Sequence, residues 1–353
     1  MTTLGDFELR TTPGLYKRLE EVGRKLGFKG KTAKDVTDWQ AALLAEVSRL
    51  LGEFPRVKSA VQATPVETVE TPEYTRELIV LETVPGEFMP CYVLTPHNLE
   101  KPHKPVLALH GHGTWGAQSL VGIASTEAEA AYIREFKADY GRQIALAGYK
   151  TYVPVLRAFG YRMEDRELKQ VNDGDTSGGI WSCQDVGLNA LLAGQTLMGL
   201  RVWDVLQLID YIDLQPDVLH DKLPCVGLSG GGTLAMYATA LDKRITSAYI
   251  SGAINTFRDS IMAVPHCVCN YIPHLPEYAE MGDVAGLIAP RPLMVENGDA
   301  DPIYPPHGVE KALVTLRQIY AALGVPEHLT THTFHGQHRW DGEPLAGWLA
   351  KQY

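Results

Sequence analysis

The sequence is poor in cysteine: its 353 residues carry five, at positions 91, 183, 225, 267 and 269. An odd and sparse set excludes a disulfide framework. Cys267-Val-Cys269 is too tight for a zinc-knuckle pair and no second pair matches it, so these thiols read as small buried hydrophobes. Basic charge is also short, with 32 Lys and Arg against 42 Asp and Glu and a net charge of −10. That balance argues against nucleic acid or an anionic membrane as partner. No apolar run approaches the roughly 18 residues of a membrane span. The first residues hold neither the basic nor the apolar stretch of a signal peptide, so a reducing cytoplasm is the expected location. The 33 glycines keep no three-residue period, which excludes collagen. No internal repeat or low-complexity tract occurs.

What is present is ordinary globular composition, 45% hydrophobic and 21% charged. Residues 1–60 read as a helical extension packing on the body. Leu15, Leu19, Val22 and Leu26 recur at helical spacing, as do Trp39, Leu43, Leu44, Val47, Leu50 and Leu51. No strand pattern occurs there. Residues 61–353 read as one catalytic domain. Two β-rich runs, 76–84 and 88–95, flank Pro85-Gly86-Glu87 and predict a hairpin. Beyond it, short apolar runs at 105–109, 150–155, 223–228, 247–251 and 292–296 alternate with helical stretches near 127–147, 190–213, 231–242, 308–323 and 342–352. Such alternation predicts an α/β fold with a mostly parallel central sheet and helices on both faces. Its site lies beyond the carboxyl ends of the strands. Two long connections, 156–189 and 252–290, read as walls or lids of that site.

Gly227-Leu-Ser229-Gly-Gly231 follows one apolar run and precedes a helical one. Strand, tight glycine turn and helix make a nucleophile elbow, with the serine hydroxyl at the helix N-terminus. A serine hydroxyl is weak without a base, and the base needs an acid to orient it. Asp301 follows the run Leu293–Glu296, with Asp299 as a rival two residues earlier. Of the histidines at 328, 332, 335 and 338, only His338 lies well past a strand in a glycine-flanked loop. The early turn His110-Gly-His112-Gly113 supplies a candidate oxyanion hole: the His112 N–H and the Gly230 N–H are the expected donors. His-x-His also occurs in metallohydrolases, but here Gly-Thr-Trp follows instead of Asp and another His, so no metal is expected. Trp115, Arg157, Trp181, His266 and Tyr304 are candidate substrate-binding residues, with Tyr161 and Tyr271 beside them. Arg157 could equally hold its own loop by a salt bridge.

Together these motifs resemble the α/β-hydrolases, and within them the dienelactone hydrolase and acetyl xylan esterase-like group. The resemblance rests on His110-Gly-His-Gly, Arg157-Ala-Phe-Gly-Tyr-Arg162, Gly199-Leu-Arg-Val-Trp203-Asp204, Gly227-Leu-Ser-Gly-Gly and Ala289-Pro-Arg-Pro-Leu293. It runs over nearly the whole chain. It implies Asp301 as the acid, from the spacing Gly298 to Pro305, and a Gly-Gly-His turn that here reads Gly336-Gln337-His338. The implied activity is a serine esterase acting through an acyl-enzyme on short acyl esters of sugars or other polar alcohols, with no cofactor. Cleavage of an amide, lactone or thioester by the same residues stays open, as does a binding protein that keeps the fold.

Overall fold

The structure is a computed structural model, and it describes residues 3–4, 7–55, 61–97, 99–113, 116–172 and 181–353. Nine strands form one sheet. In chain order they are β1 (Ala63–Glu70), β2 (Tyr74–Val84), β3 (Glu87–Pro96), β4 (Pro105–Leu109) and β5 (Lys150–Pro154). Then come β6 (Pro224–Leu228), β7 (Ser247–Ser251), β8 (Leu293–Gly298) and β9 (Leu329–Phe334). Across the sheet the order is β9-β8-β7-β6-β4-β5-β3-β2-β1. From β4 to β9 every pairing is parallel, and β1 to β3 add an antiparallel edge through β5. This is the α/β-hydrolase architecture expected from the alternation of strand and helix.

The parallel strands read as continuous apolar runs because both their faces are covered. On β4, Leu107 and Leu109 join the core on one face of the sheet, and Val106 and Ala108 join the core on the other. The helix Gly230–Leu241 belongs to the first core through Leu234 and Met236; Tyr140 and Trp348 belong to the second. The predicted hairpin is β2–β3, where Val84 pairs with Glu87 and Gly86 takes φ 82°. β1 gave no signal in the sequence. It is a largely exposed edge strand, carries Pro65, and shifts register between Pro65 and Glu67, so it lacks the alternation of a half-buried strand.

In the N-terminal region the helix Ala33–Leu51 opens with a capping box between Thr32 and Asp35. Val36, Leu43, Val47, Leu50 and Leu51 are buried in the first core, each contributing roughly 1.5–3 kcal/mol by burial. Gln40 Nε2 donates to the carbonyls of Gly286 and Ala289 at 3.0 and 2.7 Å. The preceding helix, Thr11–Val22, buries none of its residues, and the predicted stripe residues Leu15 and Val22 are exposed. A short antiparallel pair, Thr3–Leu4 with Phe7–Glu8, stands where no strand was expected. Two residues per strand are too few to leave a periodic signal.

The two long connections carry helices of their own. Asp165–Asn172 and Trp181–Leu192 lie in the first, and Leu275–Tyr278 and Met281–Gly286 in the second. The helix expected over 190–213 therefore starts later, at Leu197, after a break at Gly194 with φ 75°.

Candidate active site

Three loops at the carboxyl ends of β6, β8 and β9 meet at one cavity of about 320 Å³. Ser229 links β6 to the helix Gly230–Leu241 with φ 55° and ψ −123°. A non-glycine residue in this region costs roughly 1–3 kcal/mol, so the surroundings must impose it. They do so by close approach. A Cβ on Gly227 would strike the Gly231 carbonyl, and one on Gly231 would strike the Leu109 carbonyl on β4. The Ser229 N–H donates to the Ser251 carbonyl at 2.8 Å, and the Ser229 carbonyl accepts from the Thr233 N–H at 2.8 Å.

Asp301 is buried in the turn after β8. Its Oδ1 accepts from the N–H groups of Ile303 and Tyr304 at 2.8 and 2.9 Å, while its Oδ2 stands 2.6 Å from His338 Nδ1. Burial pushes the Asp301 carboxyl up, but the hydrogen bond and charge of His338 and the two N–H donors outweigh it, so it is held below the usual range. Tyr304 stacks on His338 with ring centroids 5.6 Å apart. Gly252, at φ 52°, leaves room for that ring, since a Cβ there would lie 3.0 Å from His338 Cε1. Ser229 and His338 both line the cavity. The rival Asp299 instead accepts from the Gly336 N–H at 3.0 Å and lies 3.0 Å from His335 Nδ1, on an exposed surface.

The turn after β4 forms the opposite lip. His110 is buried, and burial pushes its imidazole down to about 3. Its Nε2 accepts from the Leu156 N–H at 3.1 Å and its Nδ1 donates to the Gly111 carbonyl at 2.8 Å, so it anchors the turn as a neutral ring. His112 lines the cavity over Gly230, where a Cβ would come 2.6 Å from His112 Nδ1. Its Nε2 lies 3.3 Å from Cys269 Sγ. Burial disfavours charge on His112, but Cys269 beside it raises its pKa to about 10.

The profile of the Abhydrolase family matches residues 9–350. The chain belongs to the abhydrolase family. It is 27% identical over 295 residues to the "Putative hydrolase YtaP" of Bacillus subtilis (strain 168), covering 80% of this chain and 88% of that one. Among solved structures it resembles a "putative acetyl xylan esterase" from Bacteroides fragilis NCTC 9343, with a TM-score of 0.83 at 16% identity over 99% of this chain and 96% of the other. It also resembles a glucuronoyl esterase from Solibacter usitatus, with a TM-score of 0.69 at 17% identity over 94% and 97%. At such identities the structural likeness speaks for the fold. Among the described residues, no helix is long and apolar enough to cross a membrane.

The remaining candidates of this abhydrolase divide. His266 and Tyr304 line the cavity and pack edge to face at 5.5 Å. Burial pushes His266 down to about 4, and its Nε2 lies 3.2 Å from Ser260 Oγ. Trp115 lies outside the described residues. Trp181 sits away from the cavity, half-exposed, under the Arg166 guanidinium at 4.2 Å. Arg157 does not line the cavity either: its Nε and Nη2 grip both oxygens of buried Asp204 at 2.9 Å, and Nη1 reaches Glu87. The salt-bridge reading of Arg157 thus replaces the substrate-binding one. Arg162 Nη1 at 2.7 Å and Thr83 Oγ1 at 2.8 Å complete the Asp204 cage. Tyr161 and Tyr271 are exposed.

Sequence reasoning missed other lining residues. Tyr132 and Phe136 come from the helix Glu127–Phe136, which reads only as amphipathic. Asn270 comes from the second long connection; it is buried, and its Oδ1 has no protein partner. Glu296 on β8 accepts from Tyr249 Oη at 2.5 Å, Ser251 Oγ at 2.7 Å and the Gly342 N–H at 3.0 Å. It thereby ties down the loop that carries His338. The only signal for it was a charged residue inside an apolar run.

Proposed function

We propose that this chain is a serine-dependent carboxylic ester hydrolase acting through an acyl-enzyme. Ser229 Oγ attacks the ester carbonyl. His338 Nε2 takes its proton and returns it to the leaving alcohol, and Asp301 fixes the imidazole tautomer and stabilises the imidazolium. The N–H groups of Gly230 and His112 bind the oxyanion, each lowering the barrier by roughly 3 kcal/mol. Water then attacks the acyl carbonyl, with His338 as base, and frees the acid. The observation that carries this reading is the 2.6 Å contact between buried Asp301 and His338, in the cavity that Ser229 also lines. The division into a helical extension over 1–60 and a catalytic unit over 61–353 belongs to the same proposal.

The substrate we propose is a short acyl ester of a sugar or other polar alcohol. The cavity, about 320 Å³, suits a small group. His266, Asn270 and Tyr304 give its wall polar atoms for an alcohol rich in hydroxyls. The names of the structural neighbours, acetyl xylan esterase and glucuronoyl esterase, agree with a carbohydrate ester. The test is hydrolysis of p-nitrophenyl acetate, butyrate and octanoate by wild type and Ser229→Ala. Acetate turnover far above octanoate, reduced to a trace by Ser229→Ala, is the expected result. Full activity in Ser229→Ala, or no fluorophosphonate labelling of the folded wild type, overturns the reading.

A further inference from the structure

The cysteines do more than fill the core. Cys267 and Cys269 stand on either side of Val268 at the turn Val268–Asn270 in the second long connection. Their two Sγ atoms and one imidazole nitrogen of His112 all lie within 4.8 Å of one another. His112 Nε2 to Cys269 Sγ is 3.3 Å. A tetrahedral zinc ion with Zn–S of about 2.3 Å and Zn–N of about 2.0–2.1 Å holds its donors roughly 3.5–3.8 Å apart. The three donors thus need only small shifts to share one ion. We propose that His112, Cys267 and Cys269 form a binding site for a thiophilic divalent cation of the zinc class.

Charge and chemistry agree with the geometry. Two thiolates neutralise a divalent cation, and the third donor is a neutral imidazole. Binding releases two protons to solvent, one from Cys267 and one from the His112–Cys269 pair, and leaves every oxidation state unchanged. Thiolate and imidazole ligands select zinc over the hard cations magnesium and calcium. Cys183 Sγ, next to the cluster, accepts from Nη2 of the buried Arg201 at 3.1 Å and also lies within hydrogen-bonding reach of His112, Cys267 and Cys269. The Arg201 guanidinium is also held by the Arg157 carbonyl, at 2.8 Å from Nη2. Its hydrogen bonds go to Cys183 and Arg157, while its charge also acts on Cys267 and Cys269. The ion would clip the turn after β4 to the connection 252–290, two segments of the cavity wall with no covalent link nearby. The site stands whether or not Ser229 is a nucleophile.

The test uses the full chain, reduced with a phosphine, incubated with excess zinc chloride and desalted. Metal is counted by mass spectrometry and thiols by titration. The expected result is about one zinc per wild-type chain. Cys267→Ser and Cys269→Ser should each lower retention at least tenfold, while Cys225→Ser, on β6, keeps it. Cobalt(II) in place of zinc should give a thiolate-to-metal charge-transfer band that Cys269→Ser abolishes. The wild-type spectrum decides the matter even if a variant fails to fold. Less than a tenth of an equivalent retained by fully reduced wild type overturns the proposal and leaves the cluster a charge pair of His112 and Cys269. Zinc that survives both substitutions overturns it too, and directs attention to Glu296, His332 and Asp341, the other close donor group among the described residues.

Discussion

Replacing Asp301 with asparagine keeps the side chain's shape and removes its charge. The Oδ1 position still accepts from the Ile303 and Tyr304 N–H groups, so the turn should hold. The other position, 2.6 Å from His338 Nδ1, becomes an NH₂ donor. Two donors cannot face each other at that distance, so the imidazole moves its proton to Nε2. That nitrogen is the one meant to accept the Ser229 proton, and it is now blocked. The same exchange in a serine protease lowers kcat about 10⁴-fold. At about 1.36 kcal/mol per decade this is roughly 5.4 kcal/mol of barrier. Asp299→Asn is the matched control, because its partners His335 and Gly336 lie on an exposed surface. An exposed pair contributes about 0–1 kcal/mol, so activity within about fivefold of wild type is expected. The assay is steady-state hydrolysis of p-nitrophenyl acetate, with thermal unfolding to verify the fold and intact mass to exclude deamidation. A folded Asp301→Asn enzyme that keeps more than a tenth of wild-type kcat would refute the reasoning, as would equal losses in both variants.

Gly231→Ala should cost more than about 4 kcal/mol or prevent folding, because the new Cβ meets backbone, the Leu109 and His110 carbonyls; a chemical melt within about 1 kcal/mol of wild type would contradict this. Asp204→Asn should lose about 3–5 kcal/mol at pH 7, since buried Arg162 would lose its carboxylate and Arg157 would keep only the half-exposed Glu87. Burial raises the Asp204 carboxyl, but the two guanidinium groups prevail and hold it below its ordinary value. Its contribution is therefore fully present above the unfolded pKa of about 3.9 and is lost as pH falls through the lower folded value. The gap between wild-type and variant denaturation curves should be full at pH 7 and narrow as the pH falls below about 3.9, and a gap that stays constant would contradict the assignment. Asn270→Ala should lower kcat/KM about tenfold on an acetylated sugar, the value of one buried hydrogen bond of about 1.4 kcal/mol, and leave p-nitrophenyl acetate within about twofold. Equal losses on both substrates would remove Asn270 from alcohol recognition.

The candidate site was legible where chemistry dictates local sequence. An elbow needs glycines at 227 and 231 because the start of its own helix presses on Gly227 and backbone at the end of β4 presses on Gly231, and that demand is written into five consecutive letters. Asp301 and His338 were legible by position, each in a loop following an apolar run. What failed was pairing across distance. Whether Arg157 faced substrate or protein turned on Asp204, which is 47 positions away, and nothing local to either residue reports it. Cys269 and His112 are 157 positions apart, so the cysteines could be read only by type. β1 failed for a different reason: an edge strand with both faces largely exposed and a bulge carries no core alternation. Asn270 and Tyr132 were out of reach because a pocket wall is defined by the space it faces, and sequence does not state that space.

The two sides of the cavity are held by different means. Ser229, Asp301 and His338 hang from strand ends deep in the parallel sheet, where Glu296 ties β7, β8 and the His338 loop together. The other wall, carrying His266 and Asn270, belongs to the connection 252–290, which leans on the N-terminal segment instead. The Lys25 and Leu26 N–H groups donate to the Glu277 and Tyr278 carbonyls at 2.9 and 2.8 Å. The Phe28 N–H donates to Asp283 Oδ1 at 2.9 Å, and Arg24 Nη1 pairs with Asp283 Oδ2 at 3.1 Å. A loosened N-terminal segment would therefore reach the His266 and Asn270 side of the cavity before it reached Ser229, Asp301 and His338. The ring sequence His266, Tyr304, His338 joins the two sides, edge to face at 5.5 Å and then stacked at 5.6 Å. Movement of the wall is passed to His338 through that stack. Asp301, with two N–H groups on one oxygen and His338 on the other, resists the tilt. The cavity wall along 252–290 can therefore shift while the geometry around His338 stays fixed.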